Sequence, residues 1–142
     1  MRMFSIRYGY YNTKDWKCAR YHDPIVDTWA DALGLGAKFV FAPDSAKPEA
    51  AAKFVEFAKK YNALVETNLR HHGGKYCGGN NVGVGDFVMA AWIGNFFFND
   101  ESPLCAQLKP ILAATPKFKE YAENVIMKEF TYLKTRGKQP FF

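Results

Sequence analysis

Gly79-Asn80-Asn81-Val82-Gly83-Val84-Gly85-Asp86 runs into Phe87-Val88-Met89-Ala90-Ala91-Trp92-Ile93, and the reading of this stretch decides the fold. Its first half is rich in turn formers. Its second half is apolar on every side, and a helix of that kind must be buried in a core or a membrane. The apolar run closes at Gly94-Asn95 after about 11 residues, where a membrane span needs about 20. The expectation is therefore an all-α domain built around a buried central helix, at about residues 83–94. Asp86 falls in its first turn, where a carboxylate accepts free backbone N–H groups and complements the helix dipole.

The totals agree with one packed domain. The chain has 142 residues, 49% apolar and 17% aromatic, with 13 Phe, enough for a single core. The net charge of +5 is spread along the chain, with its densest group at Lys134, Arg136 and Lys138. That pattern fits a solvated surface, so no nucleic acid partner is expected. Three cysteines at irregular spacing, Cys18, Cys77 and Cys105, argue against a disulfide framework or zinc site and fit reduced thiols. With no secretory core at the N-terminus and no span, a cytoplasmic location is expected.

Outward from the centre, Met1 to Tyr8 reads as two helical turns closed by Gly9. Thr13 reads as an N-cap for a helix towards Leu33, ended by Gly34 and Gly36, with Ala19, Ile25, Val26, Trp29 and Leu33 as its apolar stripe. Pro24 is expected to kink that helix or to restart it behind Asp23. Asp23, Asp27 and Asp31 recur every four residues and line one face. Lys38 to Ala46 reads as a loop or frayed end. Pro48 then opens the clearest amphipathic helix, through Phe54, Phe57, Ala58, Tyr61, Leu64, Val65 and Leu69, to basic residues and Gly73. Ser102-Pro103 and Thr115-Pro116 are two further N-cap signals, with Pro110 expected to bend or shorten the helix between them. Phe118 to Leu133 reads as a last long helix closed by Gly137, followed by an apolar tail docked on the body.

Two motifs carry no chemistry at this level. His71 and His72 are adjacent, so on a helix they point about 100° apart and make a poor chelate; no metal site is expected. The glycine-rich loop from Gly73 to Gly85 lacks the Gly-Lys-Ser/Thr ending and the leading strand of a phosphate cradle.

The chain resembles the helical C-terminal domain of cytosolic glutathione S-transferases, nearest the sigma-like group. Four segments carry the likeness. Arg2 to Tyr11 resembles the last helix of that family's thioredoxin-like domain and its exit. His22-Asp23-Pro24-Ile25-Val26-Asp27-Thr28-Trp29-Ala30-Asp31 resembles the first helix of the helical domain. Gly79 to Phe87 resembles the family's Gly-x-x-x-Ser/Thr-x-Ala-Asp-Phe folding motif, with Gly83 where the family has its N-cap hydroxyl. Pro116 to Tyr121, with Arg136 to Phe142, resembles its final helix and end.

The resemblance implies a division into residues 1–9, a remnant of the thioredoxin-like half, and residues 10–142, the helical domain. It implies that Gly83 and Asp86 form the structural N-cap motif. Asp31, with Asp27 beside it, would reach glutathione's charged end across a dimer, and Leu33 and the C-terminal tail would line the electrophile pocket. Glutathione is then a co-substrate only if the family activity is retained, and no other cofactor is implied. The groups that grip and activate glutathione belong to the thioredoxin-like half, so no residue here is assigned to catalysis. The expected role is a non-catalytic structural or interaction subunit, with a protein partner or a transferase-like dimer covering the face that half would occupy. The alternative is the C-terminal half of an active transferase conjugating glutathione to hydrophobic electrophiles.

Overall fold

The computed structural model describes residues 1–137, and those residues are helical with no strand. A single isolated bridge pairs Tyr76 with Gly79. The helices are α1 (Arg2–Arg7), α2 (Trp16–Val40), α3 (Lys47–His72), α4 (Val84–Trp92), α5 (Cys105–Ala114), α6 (Pro116–Tyr121), α7 (Met127–Glu129) and α8 (Tyr132–Thr135). A 3₁₀ turn, Asp44–Ala46, leads into α3. Wide π-helical turns, Ile93–Phe97 and Ala122–Ile126, prolong α4 and α6.

α2 and α3 form a long antiparallel hairpin. The Tyr21 carbonyl meets Asn68 at one end, the Tyr61 hydroxyl donates to the Ile25 carbonyl at 2.7 Å, and Gly36 lies beside Phe54 at the other end. α4 lies against this pair as the buried element expected from its composition. Trp92 is fully enclosed, with Phe54, Tyr61 and Phe96 ring centroids 5.6, 5.2 and 5.0 Å away. Its indole N–H donates to Asn62 at 2.9 Å. Aromatic pairs at such separations add about 0.5–1.5 kcal/mol each beyond area burial.

Several boundaries differ from the sequence expectation, each for a physical reason. α2 begins at Trp16, with Asp15 rather than Thr13 accepting the Lys17 N–H. It passes through Pro24 and through Gly34 and Gly36 and ends at Val40. Local propensity predicts breaks there, but packing against α3 outweighs the missing bond and the glycine entropy. The buried face is accordingly His22, Ile25, Ala32, Gly36 and Phe39, with Trp29 half-buried, at helical spacing throughout. Ala19 lies outside that stripe and is exposed. The central helix does not stop at Gly94 but widens into the π turn through Phe97.

α5 starts at Cys105, and Ser102 supplies no side-chain cap; Pro110 lies inside the helix without ending it. At α6 the Thr115 hydroxyl donates back to Ile111, and the Phe118 N–H is met instead by Glu66 of α3 at 2.6 Å. The long last helix is interrupted at Phe130, whose ψ of 72° leaves helical space. α3 matches its prediction, from Pro48 in the first turn to Gly73 at φ +64° closing it. The predicted docking of the tail falls on residues 138–142, outside the described residues. None of the described helices is long and apolar enough to cross a membrane.

Candidate functional site

The chemistry-bearing side chains collect at the start of α4. Gly83 is its N-cap, in extended backbone, and Asp86 is the third helical residue. The Asp86 Oδ2 accepts the Gly83 N–H at 2.8 Å, which is the returning half of a capping box. Oδ1 accepts the Cys77 N–H at 3.0 Å and the Tyr121 hydroxyl at 2.7 Å. Asp86 is fully buried, so the three donors replace its water. One carboxylate thus ties α4 to the preceding loop and to α6. The N-terminal arm adds a fourth tie: the Tyr10 carbonyl accepts the Val84 N–H at 3.0 Å.

Glycine brings no side-chain acceptor to the N-cap, and His22 of α2 supplies one from outside the helix. Its Nδ1 accepts the Gly85 N–H at 3.2 Å, the second-residue donor that an N-cap hydroxyl ordinarily serves. The two arrangements exclude each other. A Cβ at Gly83 would fall 2.3 Å from His22 Nε2, and one at Gly78 would fall equally close. The imidazole therefore sits where an N-cap side chain would otherwise be. Accepting at Nδ1 places the ring proton on Nε2, and burial lowers the His22 pKa against the opposing pull of Asp86 and Asp23.

Cys77 Sγ stands 3.9 Å from His22 Nδ1, and burial holds its thiol well above the ordinary range, with Asp86 pushing the same way. Tyr121 is likewise raised by burial and then by Cys77 and Asp86. His22, Cys77 and Asp86 each bring a ligand atom within 4.8 Å of the others, the spacing a metal ion would need. Their polar atoms are already committed. An ion there would displace the Gly85 N–H from Nδ1 and compete with three donors for the carboxylate. It would also have to ionise a thiol that burial keeps protonated. The set works as a folding lock that joins α2, the glycine loop, α4 and α6.

The residues named from the sequence lie apart from this lock, Gly83 and Asp86 excepted. Arg2 of α1 donates from Nε to Asp23 at 2.9 Å and from Nη2 to Asp27 at 3.0 Å. Tyr11 donates to the other Asp23 oxygen at 3.0 Å. The positive group facing the acidic row is thus within this chain, and it serves Asp23 and Asp27. Asp31, one turn further, is exposed, with no hydrogen bond or ion pair among the described residues. Leu33 is half-buried, and the tail that the resemblance pairs with it lies outside the described residues. His71 and His72 both lie near the Tyr21 ring, and His72 also bridges the Gly74 N–H and the Cys77 carbonyl.

Sequence reasoning missed His22, Cys77, Tyr121 and Arg2. For His22 a signal existed: once α2 is allowed to reach Val40, residue 22 falls on the buried stripe. No comparable signal marks the other three, which meet their partners across 9 to 35 residues of chain.

A cleft of about 270 Å³ opens beside the lock, between the start of α2 and the loop from Gly78 to Gly83. The chain matches no protein-family model, and no curated protein matches it.

Proposed function

We propose that this chain is a glutathione S-transferase-like helical domain that acts through protein association rather than by catalysis of its own. The observation that carries the reading is α1. Met1, Met3, Phe4, Ile6 and Tyr8 are 64, 71, 58, 45 and 64% exposed, a concentration of apolar surface on one short helix. α1 is nonetheless held in place, by Arg2 on the acidic row and by the Tyr10 carbonyl on α4. Apolar surface presented on a fixed support is what a protein interface requires. By the resemblance drawn above, α1 corresponds to the last helix of a thioredoxin-like half, and such a half is the proposed occupant. The acidic row then has the structural task of anchoring α1, and Asp31 is the member left for a ligand or a partner.

The second reading, conjugation of glutathione to a hydrophobic electrophile, rests on Asp31 and on the same α1 face, and it requires a thioredoxin-like half supplied to this domain. The two readings separate by experiment. Tagged chain is isolated from its native source, its partners are identified by intact mass, and the complex is assayed with glutathione and chlorodinitrobenzene. The association reading predicts a stoichiometric partner that a Met3→Glu/Phe4→Glu variant loses while its melting temperature is unchanged, without conjugation. Conjugation by the complex supports the second reading. A monomeric native chain with no partner overturns both, and conjugation by the purified chain alone overturns the non-catalytic assignment.

A further inference from the structure

The cleft beside α4 contains a polar group that the fold itself does not use. His22 is only 4% exposed, and its Nδ1 is occupied by the Gly85 N–H. The ring proton is therefore on Nε2, and Nε2 has no acceptor among the described residues. That edge of the ring forms part of the cleft lining, between Gly78 and Gly83. Nε2 is not sealed from solvent, because this edge lines the cleft, so a guest that brings an acceptor takes the place of water there.

The rest of the lining defines the guest. Asn12, Asn80 and Asn81 line the mouth. The Asn12 Oδ1 already accepts the Lys14 N–H, which leaves its amide N–H₂ to donate. Asn80 and Asn81 are exposed, and both their amide atoms are open. The ionisable groups that face His22 and the cleft are Tyr10 from the N-terminal arm, Asp15 and the Cys18 thiol from the start of α2, and Asp23, His72, Asp86 and Cys77 around the ring. Burial raises the Cys18 thiol pKa. No lysine or arginine lines the cleft, and its one lining carboxylate, Asp15, already accepts the Lys17 N–H.

An anion would meet Asp15 with no cation to offset it. A cation would find only that single carboxylate, too few ligands to replace its water. Carboxamides and a neutral imidazole N–H instead suit groups that both donate and accept, which is the property of hydroxyls. The volume of about 270 Å³ lies just under the range of about 300 Å³ at which pockets for drug-sized ligands begin, so the guest is small. The geometry points to a binding site for a small uncharged polyhydroxylated molecule, of hexose or cyclitol size, seated on the His22 Nε2–H between the asparagines and Asp15. This site is independent of the transferase reading.

The test is titration of ¹⁵N-labelled chain with D-glucose, myo-inositol and glycerol, followed by amide and imidazole shifts. Acetate and choline serve as charged controls. At least one hydroxylated probe gives saturable shifts at Gly78, Asn80, Asn81, Gly83 and the His22 ring, and the charged controls give none. The variant Asn80→Ala/Asn81→Ala changes only exposed side chains and keeps the wild-type melting temperature, and it binds that probe at least tenfold more weakly. Non-saturable shifts with every hydroxylated probe, meaning that solvent alone fills the cleft, overturn the inference. So does saturation by acetate or choline at the same resonances, or unchanged affinity in the double variant.

Discussion

Asp86→Asn tests the organisation of the site most directly. The change keeps the side chain's shape and replaces one oxygen by N–H₂. Three buried donors now meet a neutral carboxamide: the Gly83 N–H, the Cys77 N–H and the Tyr121 hydroxyl. With the remaining oxygen turned to Cys77 and Tyr121, two bonds persist without charge assistance, a loss of about 1 kcal/mol each. The N–H₂ then faces the Gly83 N–H, and that orphaned donor costs about 1–3 kcal/mol more. Release of a buried charge offsets part of this, so the net expectation is about 3 kcal/mol, and about 5 kcal/mol for Asp86→Ala, which orphans all three donors. At about 2–4 °C per kcal/mol for a chain of this size, Asp86→Asn lowers the melting temperature by about 10 °C. Thermal and urea unfolding followed by far-UV circular dichroism, with Asp31→Asn as a surface control, read the difference. An Asp86→Asn variant that melts within about 2 °C of wild type would show that the carboxylate does not hold α4 in place.

Four further outcomes follow. His22 has a lowered pKa when folded, so the unfolded chain binds its proton first. Stability is therefore full above the ordinary histidine value of about 6.5 and falls as pH drops below it, and His22→Asn flattens that slope in unfolding free energy measured against pH. His22→Ala and Gly83→Ser each destabilise, the first by leaving the Gly85 N–H unmet and the second by a clash with the ring, by about 1–2 kcal/mol or more. The double variant regains part of that loss in a thermodynamic cycle, and strict additivity would count against the shared cap. Trp92→Ala costs about 3–5 kcal/mol by emptying the centre of the aromatic cluster, read by urea unfolding; a cost under about 1 kcal/mol would place the core elsewhere. A short exposure of folded chain to N-ethylmaleimide modifies Cys18 before Cys77 or Cys105, because only Cys18 is partly accessible; peptide mass mapping with Cys77 modified at the same rate would contradict the lock.

The all-helical class and the central helix were legible because their signals are local: an apolar run too short for a membrane, an acidic residue in its first turn, and a clear stripe along α3. The end of α2 was not legible, because Pro24, Gly34 and Gly36 argue locally for breaks that packing against α3 overrides. Gly83 is the N-cap of α4 and Asp86 its third residue. The sequence spacing gives no hint that His22 completes that cap, because the two partners lie 63 residues apart. The acidic row was visible as a row, whereas its cation, Arg2, lies on another helix 21 residues away. Contacts made within one turn were recoverable, and contacts made by the tertiary fold were not.

The loan of a cap from α2 to α4 also bears on how this sequence can change over generations. His22, Gly78 and Gly83 are locked into mutual permission. A hydroxyl-bearing residue at 83 is tolerated only after the imidazole has gone, and the imidazole can leave cheaply only once that hydroxyl is present. Either first step crosses a fitness valley, so drift should keep the three positions together, and descendants of this chain should carry one solution or the other whole.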